Sequence, residues 1–212
     1  MTVAALKRHK IAGLYGITAA MTDTAALLKK TRQILDGGAR LIQYRNKSAD
    51  RTLQRLQAKA LLQICRDYHV PLLINDHVEL ALEVNADGVH LGAKDTDIVT
   101  ARAQLGMDKI IGASCYNRLT SAVQATKSGA DYVAFGAFYP TLTKHDTVTA
   151  SIDVLLRAKN TLDIPVVCIG GINSANALTL IKNGADAVAV CQAIYQTNDA
   201  SKTAAAISRF FH

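Results

Sequence analysis

The sequence predicts an α/β fold: a (βα)8 TIM barrel with parallel strands, with residues 1–212 forming one domain. Three observations predict it. Apolar runs at 11–17, 41–44, 72–74, 88–91, 110–113, 132–135, 166–169 and 187–190 each end in polar, charged or glycine-rich residues, and a helix-like stretch follows each. Four of those stretches stop on one pattern: Gly38-Ala39-Arg40, Asn85-Ala86-Asp87, Gly129-Ala130-Asp131 and Gly184-Ala185-Asp186. Glycine or asparagine there can take the left-handed conformation that ends a helix, and the small alanine lets the chain turn tightly into the next strand. Finally, the first run leads into Thr18-Ala19-Ala20, without the glycine-rich phosphate loop of an open doubly wound sheet. Such regular alternation implies parallel strands joined by right-handed crossovers.

The first strand, 11–17, follows Lys7-Arg8-His9-Lys10. A charged segment before an apolar one is also how a secretory signal begins. This one is short and interrupted by Gly13, Gly16 and Thr18, so a strand is expected. Residues 22–36 set Ala26, Leu27, Ile34 and Leu35 at helical spacing and stop at Gly37-Gly38. After the second strand, 51–68 repeats leucine at 53, 56, 61 and 62 between basic and glutamine residues, as an amphipathic helix does. Helices are expected after the remaining strands at 78–84, 98–105, 119–127, 151–160, 175–182 and 200–210.

Composition narrows the function classes. With 212 residues, half of them hydrophobic and only three proline, the chain can bury a full core and has no long disordered linker. No apolar run approaches the ~20 residues of a membrane helix. The four cysteines, at 65, 115, 168 and 191, form no C-x-x-C pair and no zinc spacing, which points to a reduced, cytoplasmic setting. A net charge of +7 raises nucleic acid as a partner. Against it, aromatics are 5% of the chain and no basic block exceeds the short one near the N-terminus. An anionic small molecule needs only a few cations in one cleft, so the expected partners are small-molecule substrates, with neither nucleic acid nor membrane, and with an oligomer left open.

In a parallel barrel the carboxyl ends of the strands share the face that carries the active site. Asn75-Asp76 and Asp95 end the third and fourth strands. Two carboxylates with substrate oxygens suit Mg2+, a small hard ion that keeps waters and shares phosphate ligands. Taken singly, each aspartate could equally cap the helix that follows. Arg45 and Lys47 end the second strand, and Lys144 lies in the loop after the sixth. Three cations on one rim suit a diphosphate, although each alone could be a solvated surface charge. Gly170-Gly171, after the seventh strand, would let an anion approach the backbone or would simply turn the chain. Thr141 and Thr143 could add hydroxyl donors. His90, inside an apolar run, reads as a packed strand residue rather than a base. Cys115 has no neighbour that would activate a thiolate. His77 and His145 stand beside the proposed site.

These pieces, in this order, resemble the thiamine-phosphate synthase family. The segments that carry the resemblance are Gln43-Tyr44-Arg45-Asn46-Lys47, Ile74-Asn75-Asp76, Gly88-Val89-His90-Leu91-Gly92 with Asp95, Ile111-Gly112-Ala113-Ser114, Gly129-Ala130-Asp131-Tyr132-Val133, Tyr139-Pro140-Thr141-Leu142-Thr143-Lys144, and Ile169-Gly170-Gly171-Ile172. The resemblance implies a transferase that joins hydroxymethylpyrimidine diphosphate to a (carboxy)thiazole phosphate, releasing diphosphate through a dissociative pyrimidine-cation step. It implies that Gln43, Arg45, Lys47, Asn75, Ser114 and Lys144 hold the pyrimidine diphosphate, with Arg45, Lys144 and Ser114 acting on the leaving group. Asp76 and Asp95 would bind Mg2+, and Thr141, Thr143, Gly171 and the backbone at Cys191 and Gln192 would hold the thiazole phosphate.

Three positions depart from the family's pattern. His77 stands where a second aspartate is common, and Lys94 where an acidic residue or glutamine is usual. Cys191-Gln192 replaces a valine-serine pair. The first two make the metal site less negative; the third removes a hydroxyl and leaves backbone donors. The rival readings are a thiazole tautomerase-like barrel enzyme and, from another class, a non-catalytic anion- or nucleic-acid-binding module.

Overall fold

In a computed structural model of the chain, which describes residues 11–141 and 148–211, eight strands close into a barrel in sequence order. They are β1 Gly13–Ile17, β2 Ala39–Tyr44, β3 Leu72–Asn75, β4 Gly88–Leu91, β5 Ile110–Tyr116, β6 Tyr132–Phe135, β7 Val166–Ile169 and β8 Ala187–Val190. Neighbouring strands are parallel throughout, and β8 closes on β1 with Val188 opposite Leu14. The expected barrel is therefore the observed one.

The helices between them are α1 Thr24–Asp36, α2 Arg51–Asp67, α3 Val78–Val84, α4 Ile98–Leu105, α5 Leu119–Lys127, α6 Ile152–Thr161 and α7 Ala177–Lys182. After β8 come a short α8, Gln192–Tyr195, which the sequence reading did not anticipate, and α9 Ala200–Ser208. Helix α1 begins later than expected because Asp23 is its cap: the carboxylate accepts the Ala26 N–H at 3.0 Å. The last helix tightens into a 3-10 turn, Arg209–Phe211, at the end of the expected span. Strand β2 starts two residues earlier than expected, at Ala39, because Gly38 takes φ 90° and turns α1 directly into the sheet.

Side chains alternate between two packed layers, as the two-residue period of a strand requires. Tyr15, Leu41, Leu73, Ile110, Tyr132 and Val167 fill the lumen. Their sequence neighbours Leu14, Ile42, Leu72, Ile111, Val133 and Val166 pack outward under the helices. Space for Tyr132 comes from Gly112, where a Cβ would lie 2.0 Å from the Tyr132 ring. On α2 the buried stripe is Gln57, Ala58, Leu61, Leu62, Ile64 and Cys65. Leu56, expected on that stripe, is 58% exposed, and Gln57 takes the inner position.

The recurring helix stops hold the amino end of the barrel. Gly38, Asn85, Gly129 and Gly184 all have positive φ. In three repeats the aspartate reaches back to the preceding strand: Asp87 accepts the Leu72 N–H at 2.8 Å, Asp131 that of Ile111 at 2.8 Å, and Asp186 that of Val166 at 2.7 Å. Arg102 pairs with Asp131 at 2.5 Å and Lys159 with Asp186 at 2.6 Å. These acids are structural and lie away from the carboxyl-end rim. Among the described residues no helix is long and apolar enough to cross a membrane.

Candidate active site

The inward-facing row of each strand continues past the packed lumen into a cavity of about 400 Å³ at the carboxyl ends. Gln43, Arg45, Asn75, Ser114, Thr141, Gly171, Cys191 and Gln192 all line it. Eight residues proposed from sequence thus converge on one space of the size small ligands occupy. Thr143, Lys144 and His145 lie outside the described residues.

Arg45 is fixed through its backbone. Its N–H donates to the Thr18 hydroxyl at 2.8 Å, and that hydroxyl donates to the Arg45 carbonyl at 3.1 Å. Thr18 is fully buried, so the clamp is shielded from water. Beyond it, Asn46 turns inward and donates to the Met21 carbonyl at 2.9 Å and to Gln57 at 3.1 Å. Tyr44 donates to the same Gln57 oxygen at 2.9 Å. With Asn46 anchored, the loop presents Arg45 to the cavity and Lys47 to its outer edge.

Lys47, Asp76 and Asp95 do not line the cavity; they form a cluster beside Asn75. Lys47 meets Asp76 at 2.8 Å and is itself 57% exposed on its side chain. Asp76 adopts φ 63°, and its N–H donates to the His90 carbonyl at 2.9 Å. A non-glycine residue held in the left-handed region is a strained position, of the kind that gathers at functional sites. Asp95 accepts the Gly92 N–H at 2.6 Å. Neither aspartate caps the following helix: the cap positions are His77, whose side chain makes no capping bond, and Asp97, which accepts from Thr100.

The two carboxylates interact directly, and their pKa values move apart. Burial opposes ionisation of Asp76, but hydrogen bonds from Lys47 and Asp95 outweigh it and hold the pKa below the usual carboxylate value. Burial raises the Asp95 pKa, helped by the facing Asp76 and resisted by the Gly92 amide. Two facing carboxylates are a hard-oxygen pair suited to a small divalent cation. Among the described residues no third His, Cys, Asp or Glu joins them, so substrate oxygens and water would complete the shell. The residues present fit Mg2+ on those terms. His77 and Lys94 are both exposed.

On the opposite rim, Gly170 and Gly171 take φ 100° and 64°. A Cβ on Gly170 would come within 2.3 Å of Ala137, and one on Gly171 within 2.4 Å of the Pro140 carbonyl. Both glycines are therefore required by the packing of the β7 end against the loop after β6. Cys191 precedes α8, whose first turn follows directly. Burial raises the Cys191 pKa, and the positive charge of Arg45 opposes the shift, so Arg45 is felt at both rims. Cys115 is buried, with its thiol pushed up to about 12, which agrees with an inert role.

His90 is a packed strand residue, as expected, but sequence reasoning missed its place on the cavity wall. Its ring lines the cavity, 2.8 Å from the Ser114 hydroxyl through Nε2 and 2.8 Å from the Tyr132 hydroxyl through Nδ1. The signal that could have found it is strand parity: Val89 and Leu91 pack outward, so His90 faces in. Tyr15 lines the cavity for the same reason, one step from Leu14.

Comparison with known proteins agrees with this geometry. The family described as thiamine monophosphate synthase matches residues 14–194. A thiamine-phosphate synthase of Nitrosospira multiformis is 55% identical over 207 residues, covering 98% of this chain and 88% of the relative. One from Methylobacillus flagellatus is 50% identical over 210 residues, covering 98% and 100%. A solved structure titled thiamine phosphate pyrophosphorylase from Pyrococcus furiosus superposes with TM-score 0.85 at 36% identity, covering 97% of this chain and 96% of that one. A 3-hexulose-6-phosphate synthase structure at 16% identity, with TM-score 0.69 and coverage of 93% and 99%, shares the fold alone. On the family match and on relatives of this identity and coverage, the chain is a transferase that belongs to the thiamine monophosphate synthase family.

Proposed function

We propose that the chain joins hydroxymethylpyrimidine diphosphate to a (carboxy)thiazole phosphate, forming thiamine phosphate and releasing diphosphate, together with CO2 when the carboxylated thiazole is used, with Mg2+ as cofactor. The observation that carries this reading is the convergence of Gln43, Arg45, Asn75 and Ser114 on one cavity, with the Asp76–Asp95 pair beside it. Arg45 would offer its planar fork to the diphosphate, and Lys47 a compact charge at the outer edge. Asn75 and the Ser114 hydroxyl would hold oxygens between them, and Lys144, outside the described residues, would add a third cation. When bound between Asp76, Asp95 and substrate oxygens, Mg2+ would offset charge on the departing diphosphate.

In this reading the carbon–oxygen bond to the diphosphate ionises first, and the thiazole nitrogen captures the pyrimidine-stabilised cation. Such a route asks the protein for leaving-group electrostatics and positioning, without a nucleophilic side chain. The raised thiol pKa values fit that demand. Gly171, Thr141, Thr143 and the backbone at Cys191 and Gln192 would hold the thiazole phosphate. A cytoplasmic setting fits the unpaired state of all four cysteines.

The test compares two assays of the purified protein: turnover of both substrates with Mg2+, and isomerisation of the thiazole alone. The synthase reading expects thiamine phosphate and diphosphate in the first. Isomerisation without diphosphate release would favour the tautomerase-like enzyme instead.

A further inference from the structure

A continuous hydrogen-bond chain crosses the barrel lumen through five strands. Gln43 on β2 donates its amide N–H to the Tyr15 hydroxyl on β1 at 2.6 Å. Tyr15 lies 2.9 Å from the Tyr132 hydroxyl on β6. Tyr132 lies 2.8 Å from His90 Nδ1 on β4, and His90 Nε2 lies 2.8 Å from Ser114 Oγ on β5. Both ends line the cavity, while Tyr132 in the middle is fully buried. Ring contacts stiffen the chain: Tyr132 stacks with His90 at 5.6 Å and meets Tyr15 edge-on at 6.1 Å.

Each link has one proton to place, so the donor at one end sets the polarity of the whole. With Gln43 donating, the Tyr15 oxygen is an acceptor and its own proton passes to Tyr132. Tyr132 then donates to Nδ1. The neutral imidazole therefore carries its proton on Nε2 and donates it to Ser114. That leaves the Ser114 proton unspent on the side facing the cavity. Burial raises the pKa of both phenols, so each keeps the proton its link requires. The opposite polarity would spend the Ser114 proton on His90 and turn an oxygen lone pair toward the ligand.

We propose that this chain locks the Ser114 hydroxyl as a donor into the cavity, making that point selective for an acceptor-only anionic oxygen. The assignment of that oxygen to the diphosphate of the pyrimidine substrate rests on the proposed synthase reading. Tyr15, Tyr132 and His90 are positioning residues in this scheme; they act through Ser114, whose hydroxyl touches the ligand. Aligned donors of this kind act most strongly where charge develops in the leaving group.

The experiment has two arms. In the first, ¹⁵N NMR of the histidine-labelled full chain, without substrates at about pH 8 where an ordinary imidazole is neutral, reads the His90 tautomer. A His90→Gln variant assigns the signal. The expected result is the Nε2–H form in the wild type and appearance of the Nδ1–H form in Tyr132→Phe. An Nδ1–H wild type overturns the proposal whatever the variant does.

In the second arm, Tyr132→Phe is expected to lower kcat for diphosphate release roughly tenfold, with the KM for the thiazole phosphate unchanged. On a Ser114→Ala background the same substitution should cost no more than about twofold, because the hydroxyl it orients is gone. Full additivity of the two losses would overturn the scheme. The tautomer is read without turnover, so it decides the relay even where the coupling assay defeats the synthase reading.

Discussion

Asp76 and Asp95 face one another with Lys47 close by, and their opposite pKa shifts make opposite predictions. The raised Asp95 favours its protonated form in the folded state, a contribution lost as pH rises through its folded pKa. Above that pKa the fold disfavours the carboxylate form of Asp95, and Asp95→Asn should melt at or above the wild-type temperature without Mg2+. Asp76, with a lowered pKa, contributes stability above the ordinary carboxylate range that is lost as pH falls through its folded pKa. Asp76→Asn should melt below the wild type at pH 7. Thermal melts of the two variants shifting in the same direction would contradict this division, and both should lose diphosphate release. Arg45→Lys keeps the charge and loses the fork, so kcat/KM for the pyrimidine diphosphate should fall on the order of tenfold to a hundredfold. Both aspartates were legible as a pair from their places at adjacent strand ends. The place of His90 on the cavity wall was not, because an apolar run cannot show that its partners, Tyr132 and Ser114, come from strands 42 and 24 residues away.

The loop between β2 and α2 shows how an element aims a side chain. Gln57 is fully buried and ties Tyr44, Asn46 and the Met21 carbonyl together at distances between 2.9 and 3.1 Å. Gln57→Leu leaves those groups unpaired, at a cost of about 1–3 kcal/mol in denaturant unfolding. The KM for the pyrimidine diphosphate should rise roughly tenfold as Arg45 and Lys47 lose their setting. An unchanged KM in a folded variant would show that the loop holds its shape without the brace. Leucine periodicity placed α2 and its buried Leu61 and Leu62 correctly and failed at Leu56. It credited Leu56 with the core because a pattern of apolar residues has no way to score a buried glutamine whose bonds are all satisfied. Helix α8 escaped for a related reason: one turn, Gln192–Tyr195, is too short to carry a period.

Across the molecule the two ends of the barrel do different work. Acids at the amino end tie strand starts, and acids at the carboxyl end face each other beside the cavity. Asp131→Ala, which removes bonds to Arg102 and the Ile111 amide, should cost about 2–3 kcal/mol of stability and leave kcat unchanged. A large loss of kcat in that variant would join the two ends functionally. The barrel was legible from eight runs and four repeated stops because strand–helix alternation is local. Closure and the meeting of side chains across the lumen are not local, and they emerge only once Gly13 of β1 lies beside Ala187 of β8. The most direct measurement is diphosphate released per thiamine phosphate formed, followed as Mg2+ is titrated into the wild type and Asp95→Ala with both substrates present. The account predicts one-to-one, Mg2+-dependent release in the wild type and a loss of at least about a hundredfold in the variant. Absent release in the wild type, or equal release by the two proteins, would contradict it.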